Sequence, residues 1–137
     1  SLVHDVDHPG VPNALLVTEN DQMAIKYSNR SVAEQNAVDV AWNALMESQY
    51  KDLQNAIYGS AEEMTRFRSL IVNCVLATDL FDRELIDDRM IRWKQAFDEE
   101  SKDESLSVEE NENLRATVVV EHVLMAADIG HTMQHWH

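Results

Sequence analysis

Three glycines and two prolines serve all 137 residues. This scarcity is the feature that most restricts the fold. Every tight hairpin needs a residue that tolerates positive φ or pre-sets a bend, so a sandwich or barrel of short strands needs more of both. Long helices need neither. Apolar spacing agrees with helices. Met64, Phe67, Ile71, Cys74 and Thr78 recur at intervals of three or four, with Leu70 and Val75 beside them. Val38, Ala41, Trp42 and Leu45 make a second stripe, and Ile86, Met90, Trp93 and Phe97 a third. Ser31-x-x-Glu34 and Ser60-x-x-Glu63 read as capping boxes. Helices are therefore expected from 31 to about 47, from 60 onward and over 82–97.

Residues 11–28 read as two short helical turns with Leu15, Leu16, Met23 and Ile25 inward. From Leu114 to Asp128 the chain is apolar nearly all round, which predicts a central buried helix. Between them, residues 98–113 carry eight acids and one lysine. Like charges repel and solvate, so this run is expected to be an acidic loop insertion. No internal repeat is present. The expected fold class is all-α, a multi-helix bundle.

Charge narrows the function. Eleven Lys and Arg against 25 Asp and Glu give a net charge of -14. A nucleic-acid surface needs clustered cations, and so does an anionic membrane surface; neither partner is expected. No apolar run reaches the length of a membrane span, so no membrane insertion by this chain is expected. The lone Cys74 excludes an internal disulfide and suits a reducing compartment. No signal peptide opens the chain, and Ser1 stands where an initiator Met would. The reading is a segment of a longer protein, placed in the cytoplasm or on the cytosolic face of a membrane.

Chemistry concentrates at two places. In His4-Asp5-Val6-Asp7-His8, two imidazoles and two carboxylates fall within five residues, the ligand types that suit zinc, iron or manganese. Adjacent residues point about 100° apart on a helix, so His4 and Asp5 share an ion only near a bend, and Pro9-Gly10 supplies one. The alternative is a polar surface loop. Asp128 follows Leu124-Met125-Ala126-Ala127, where a carboxylate needs a partner such as a metal, or else sits at a solvated helix end. Glu34 and Thr78 have ordinary explanations, a capping box and a back-bonded threonine, yet both lie on helices able to face the same core. His131 and His135 are spaced i, i+4, with His137 nearby; a surface helix after Gly130 is the simpler reading.

Assembled, His4-Asp5-Val6-Asp7-His8-Pro9-Gly10-Val11-Pro12-Asn13 resembles the metal motif of class I 3′,5′-cyclic nucleotide phosphodiesterases, within the HD-domain phosphohydrolases. Asn29-Arg30-Ser31-Val32-Ala33-Glu34, Val75-Leu76-Ala77-Thr78-Asp79 and Ala126-Ala127-Asp128-Ile129 follow in the family's order. The resemblance implies that residues 1–137 are the central part of a catalytic domain that hydrolyses cyclic AMP or cyclic GMP to nucleoside 5′-monophosphates. It implies two divalent ions, zinc in a tight site and magnesium or manganese in a second. By resemblance, His4, Asp5 and Asp128 are ligands of the tight ion and Asp5 bridges to the second. His8, Glu34 and Thr78 hold water around the second ion, Asp7 supports the histidines, and Asn13 matches a motif position of open role. Regulatory domains elsewhere in the protein are compatible with it.

Two departures stand out. Gln35-Asn36-Ala37 occupies the place where many members carry Asn-His-His, and Gly130-His131 replaces the commoner Ser-Asn. The family's upstream His-Asn-x-x-His, with a fourth zinc ligand and the general acid, is expected outside this segment, as is its downstream glutamine. Two other readings compete: another HD-type nucleotide phosphohydrolase, and a catalytically inactive metal-binding regulatory module.

Overall fold

A computed structural model describes residues 3–101, 103 and 105–130. Among these residues every regular element is helical, so the expected all-α class holds. The chain divides into two compact units, Ser1–Leu76 and Ala77–His137.

In the first unit run α1 (Asn13–Thr18), α2 (Gln22–Lys26), α3 (Val32–Leu45), α4 (Lys51–Ile57) and α5 (Ala61–Leu76), with a 3₁₀ turn at Ser48–Tyr50. Leu16, Ala24, Tyr27 and Val32 form one buried cluster, with Val11, Val17 and Met23 packed on it. Ala37, Val38 and Val75 form another, joining α3 to α5 and receiving Val3, Val6, Ile71 and Val72. Phe67 of α5 meets the rings of Trp42 and Tyr58 at centroid distances of 6.5 and 6.3 Å, within the range of favourable tilted pairs. Buried Gln54 donates to the Leu45 carbonyl at 2.8 Å, satisfying an orphan acceptor at the end of α3.

Several expectations for this unit need correction. Leu15, Ile25 and Leu70 are exposed, because their helices lean on the core through Leu16, Ala24 and Ile71 instead. Ser31 precedes α3 but does not cap it: its backbone is left-handed, at φ 37°, and its buried hydroxyl has no partner. That conformation turns Oγ away from the first amides. Ser60 does cap α5, accepting from the Glu63 amide at 3.1 Å while Glu63 Oε2 accepts from Gly59 at 2.6 Å. Helix α5 stops at Leu76, so Thr78 lies in the following turn and not on its apolar stripe.

The second unit holds α6 (Arg83–Phe97), a 3₁₀ turn at Glu99–Ser101 and α7 (Val108–Ile129). Helix α7 starts six residues before Leu114, inside the run expected to be a loop. Ser107 and Glu110 form a complete capping box, and Glu109 and Glu110 complement the positive end of the helix dipole. Acidity here starts a helix. Neither apolar stripe is buried as expected. Met90, Trp93 and Phe97 of α6 are exposed, as are Val119, Val120 and Val123 of α7. The two helices meet through Arg89, Arg92, Ala96, Val118 and Glu121. A helix with one neighbour in its unit covers only one stripe of its circumference, and here Arg89, Arg92 and Glu121 share that stripe with Ala96 and Val118.

Candidate functional site

Residues 3–8 form consecutive turns. The Val6 amide donates to Val3 O and the His8 amide to Asp5 O, both at 3.2 Å. Val3 and Val6 press onto the α3–α5 core, which anchors the turns and leaves Asp5 and His8 outward. His4 Nε2 lies 3.2 Å from Asp5 Oδ2, with the Asp5 side chain largely exposed. Two donors each about 2.1 Å from one ion, at near a right angle, stand about 3 Å apart. The bend that a shared ion demands is therefore present, in the turns themselves. An imidazole and a carboxylate at this separation fit a divalent cation in donor chemistry. Within either unit, no three His, Cys, Asp or Glu side chains among the described residues make a metal site.

Asp7 adopts a left-handed backbone at φ 58°, and Gly10 does so at φ 76°. Such a bend at Asp7 costs strain that the surroundings must hold in place. Asn36 supplies the hold, donating its Nδ2 to Asp7 Oδ2 at 3.0 Å from a site only 8% exposed. The Gly10 amide donates to His8 Nδ1 at 3.0 Å. That nitrogen therefore carries the lone pair, and the ring proton of neutral His8 sits on Nε2.

Asn13 acquires a clear role. Its Oδ1 accepts from the Ala33 amide at 2.9 Å, and its Nδ2 donates to Glu34 Oε2 at 2.8 Å. One amide thus caps α3 from another helix and orients Glu34. The cap assigned to Ser31 is made by Asn13 instead. Gln35 Nε2 bonds the Arg30 carbonyl at 2.7 Å, and Ala37 is wholly buried. Of the departing trio, then, Asn36 ties down the motif turn and Ala37 fills the core. The spacing rules for local caps reveal none of these three long-range bonds, since all cross more than 19 residues.

The second unit carries the other two expected residues. Thr78 is half-buried in the turn before α6. Asp128 is half-buried in the last turn of α7, which has no basic residue. A carboxylate there adds to the negative end of the helix dipole and makes that end attractive to a cation. His131, His135 and His137 lie outside the described residues. Sequence reasoning missed Arg89, a charged residue inside an apolar stripe; its signal was that very position.

Comparisons agree with the motif reading. The profile of the "3'5'-cyclic nucleotide phosphodiesterase" family matches residues 1–137. The probable 3',5'-cyclic-AMP phosphodiesterase pde-4 of Caenorhabditis elegans is 41% identical over 78 residues, covering 57% of this chain and 11% of that protein. The cGMP-inhibited 3',5'-cyclic phosphodiesterase 3A of Rattus norvegicus is 36% identical over 108 residues, covering 72% of this chain and 9% of that protein. The chain spans about a tenth of the length of these relatives. The crystal structure of the phosphodiesterase domain of the RhoPDE fusion protein from the choanoflagellate Salpingoeca rosetta superposes with a TM-score of 0.67 at 26% identity, covering 93% of this chain and 37% of that one. Among the described residues no helix is long and apolar enough to cross a membrane. By its match from end to end, this chain belongs to the 3'5'-cyclic nucleotide phosphodiesterase family.

Proposed function

We propose that residues 1–137 form the central part of a catalytic domain that hydrolyses 3′,5′-cyclic nucleotides to nucleoside 5′-monophosphates. The observation that carries the reading is the His4–Asp5 pair, 3.2 Å apart on turns anchored to the core. In this reading His4, Asp5 and Asp128 hold zinc, and Asp5 also reaches a second ion, magnesium or manganese. A bound pair of divalent ions supplies charge neutralisation for the phosphodiester and a water acidic enough to attack it. His8, Glu34 and Thr78 place water ligands and hold protons in a fixed arrangement. Asn13 fixes the Glu34 carboxylate, and Asn36 fixes the turn through Asp7. The acidic chain suits this role once cations neutralise the site. The leaving oxygen needs a proton, which a general acid would supply. Full-length protein then acts on a cyclic nucleotide on the cytosolic side of the cell.

The test is hydrolysis of cyclic AMP and cyclic GMP by the full-length protein, with zinc content measured alongside. Asp5→Ala and Asp128→Ala should each lower kcat by more than about 100-fold, the upper range for outer-shell changes, with helicity intact. Substantial turnover in either variant overturns the ligand assignment. Zinc bound normally with no hydrolysis by the wild type favours a regulatory metal-binding module instead. Turnover of linear but not cyclic phosphate esters favours another HD-type hydrolase.

A further inference from the structure

Arg89 is 6% exposed, and a guanidinium so placed needs a reason. Its donors go to carbonyl oxygens and a thioether, with no carboxylate bonded among the described residues. Nη1 donates to Ala77 O at 2.9 Å, Nη2 to Asp79 O at 2.6 Å and Nε to Leu85 O at 3.1 Å. Nη1 also lies 2.6 Å from Met125 Sδ on α7. Burial pulls the guanidinium pKa below its ordinary value, against the opposing charges of Glu121 and Asp79. Two carbonyls of one short turn take the fork of a single planar group, a geometry that Lys lacks. Those carbonyls belong to the residues on either side of Thr78. The turn is closed again from its far end, where Asp79 Oδ1 accepts from the amides of Phe81 and Asp82 at 2.9 and 3.2 Å. Asp82 in turn caps α6 through the Leu85 amide at 3.2 Å.

We propose that Arg89 is a positioning residue for Thr78: by gripping the carbonyls of Ala77 and Asp79, it sets the backbone from which the threonine hydroxyl projects. The proposal rests on the reading above for what Thr78 does, and on the geometry of the turn for how it is held. The effect of Arg89 on turnover runs through Thr78, so for kcat its loss and the loss of the hydroxyl are one lesion.

That equivalence gives the test. Arg89→Met, Arg89→Lys, Thr78→Ala and the double variant Arg89→Met with Thr78→Ala are made in the full-length protein. Arg89→Met should lower kcat about 10-fold to 100-fold with KM little changed, the scale of a group displaced by about 1 Å. The double variant should be no slower than Thr78→Ala, and Arg89→Lys should recover part of the loss. Multiplying losses in the double variant would show independent roles and overturn the proposal. Full activity of Arg89→Met would overturn it as well. Hydrogen exchange reads the clamp without any assay of turnover. The Phe81 and Asp82 amides should lose protection in Arg89→Met while amides within α7 keep theirs. Unchanged protection of Phe81 and Asp82 overturns the clamp whatever the activity shows. A wild type that hydrolyses no cyclic nucleotide overturns the functional reading, and exchange still decides the clamp.

Discussion

The two units spend their polar and apolar residues in opposite ways. In the first, valines and alanines fill the contact between α3 and α5, and polar side chains tie the motif turn to α3 from outside that core. In the second, the contact between α6 and α7 is held by Arg92 on Glu121 at 2.8 Å, with Arg115 on the Ala96 carbonyl at 2.8 Å. Glu121 is 3% exposed, yet Val123 is 60% exposed two residues along the same helix. The first unit is stabilised by apolar burial, a non-directional force proportional to area. The second adds directional bonds from charged side chains, with Arg89 and Glu121 buried, and such bonds fix geometry more than they stabilise. In the proposed reading, a turn that holds Thr78 is well served by the second arrangement.

The largest expected effect tests the packed unit. Ala37→His inserts an imidazole into a site with 0% exposure. Overpacking and a buried polar ring should lower unfolding stability by about 2–4 kcal/mol in urea titrations of the full chain. A neutral result would mean that the core between α3 and α5 has room it does not show. Next comes a matched pair. Val75→Ala removes two methyl-sized groups from a fully buried site and should cost about 2 kcal/mol. Met90→Ala, on the exposed stripe of α6, should stay within about 0.5 kcal/mol. Equal losses for the two would erase the contrast between the units. Ser31→Gly should raise stability by about 1 kcal/mol, since it relieves a left-handed backbone and removes a buried hydroxyl without a partner. Thermal melts would register this as a higher midpoint.

The smallest effect is a pH dependence at the edge of the first unit. Asp39 accepts from Lys26 Nζ at 2.9 Å and from Tyr27 OH at 2.8 Å. The Lys26 bond is the chief cause that holds its carboxyl below the usual range; partial burial opposes it and the Tyr27 bond adds to it. A depressed carboxyl stabilises the fold above its unfolded pKa of about 3.9, and that contribution fades as pH falls through the lower folded value. Asp39→Asn should therefore lower stability slightly at pH 7 and change little once pH falls below the folded pKa, so that the variant loses less on acidification. An unchanged acid limb in the denaturation curves would remove Asp39 from the account.

Local chemistry was legible in the sequence wherever it acts over one helical turn. Ser60 caps α5 as its spacing implies, with Glu63 reaching back to Gly59 rather than Ser60, and the complete box at Ser107 and Glu110 was hidden by the acids around it. Ser31 shows the limit. Its spacing was right, but Asn13 reached the α3 amides first, and that competition is set by tertiary approach. The stripe of α6 was recognised as a stripe and α7 was read as a central buried helix, yet apolar composition says only that a face is apolar and not what covers it. For the site, the residue types in the His4–His8 run and their order along the chain were readable. The supports were not: Asn36, Asn13 and Arg89 act across distances in sequence that no spacing rule spans.

Asn13 has a further consequence. Its two terminal atoms face partners of opposite kind, an amide hydrogen from Ala33 and a carboxylate oxygen from Glu34. Aspartate, nearly the same shape, would turn an acceptor toward that oxygen and set two negative groups 2.8 Å apart. Leucine would offer neither contact. The position thus reads the difference between nitrogen and oxygen in a single planar group, and a saturation library at residue 13 scored for folded protein should return asparagine nearly alone.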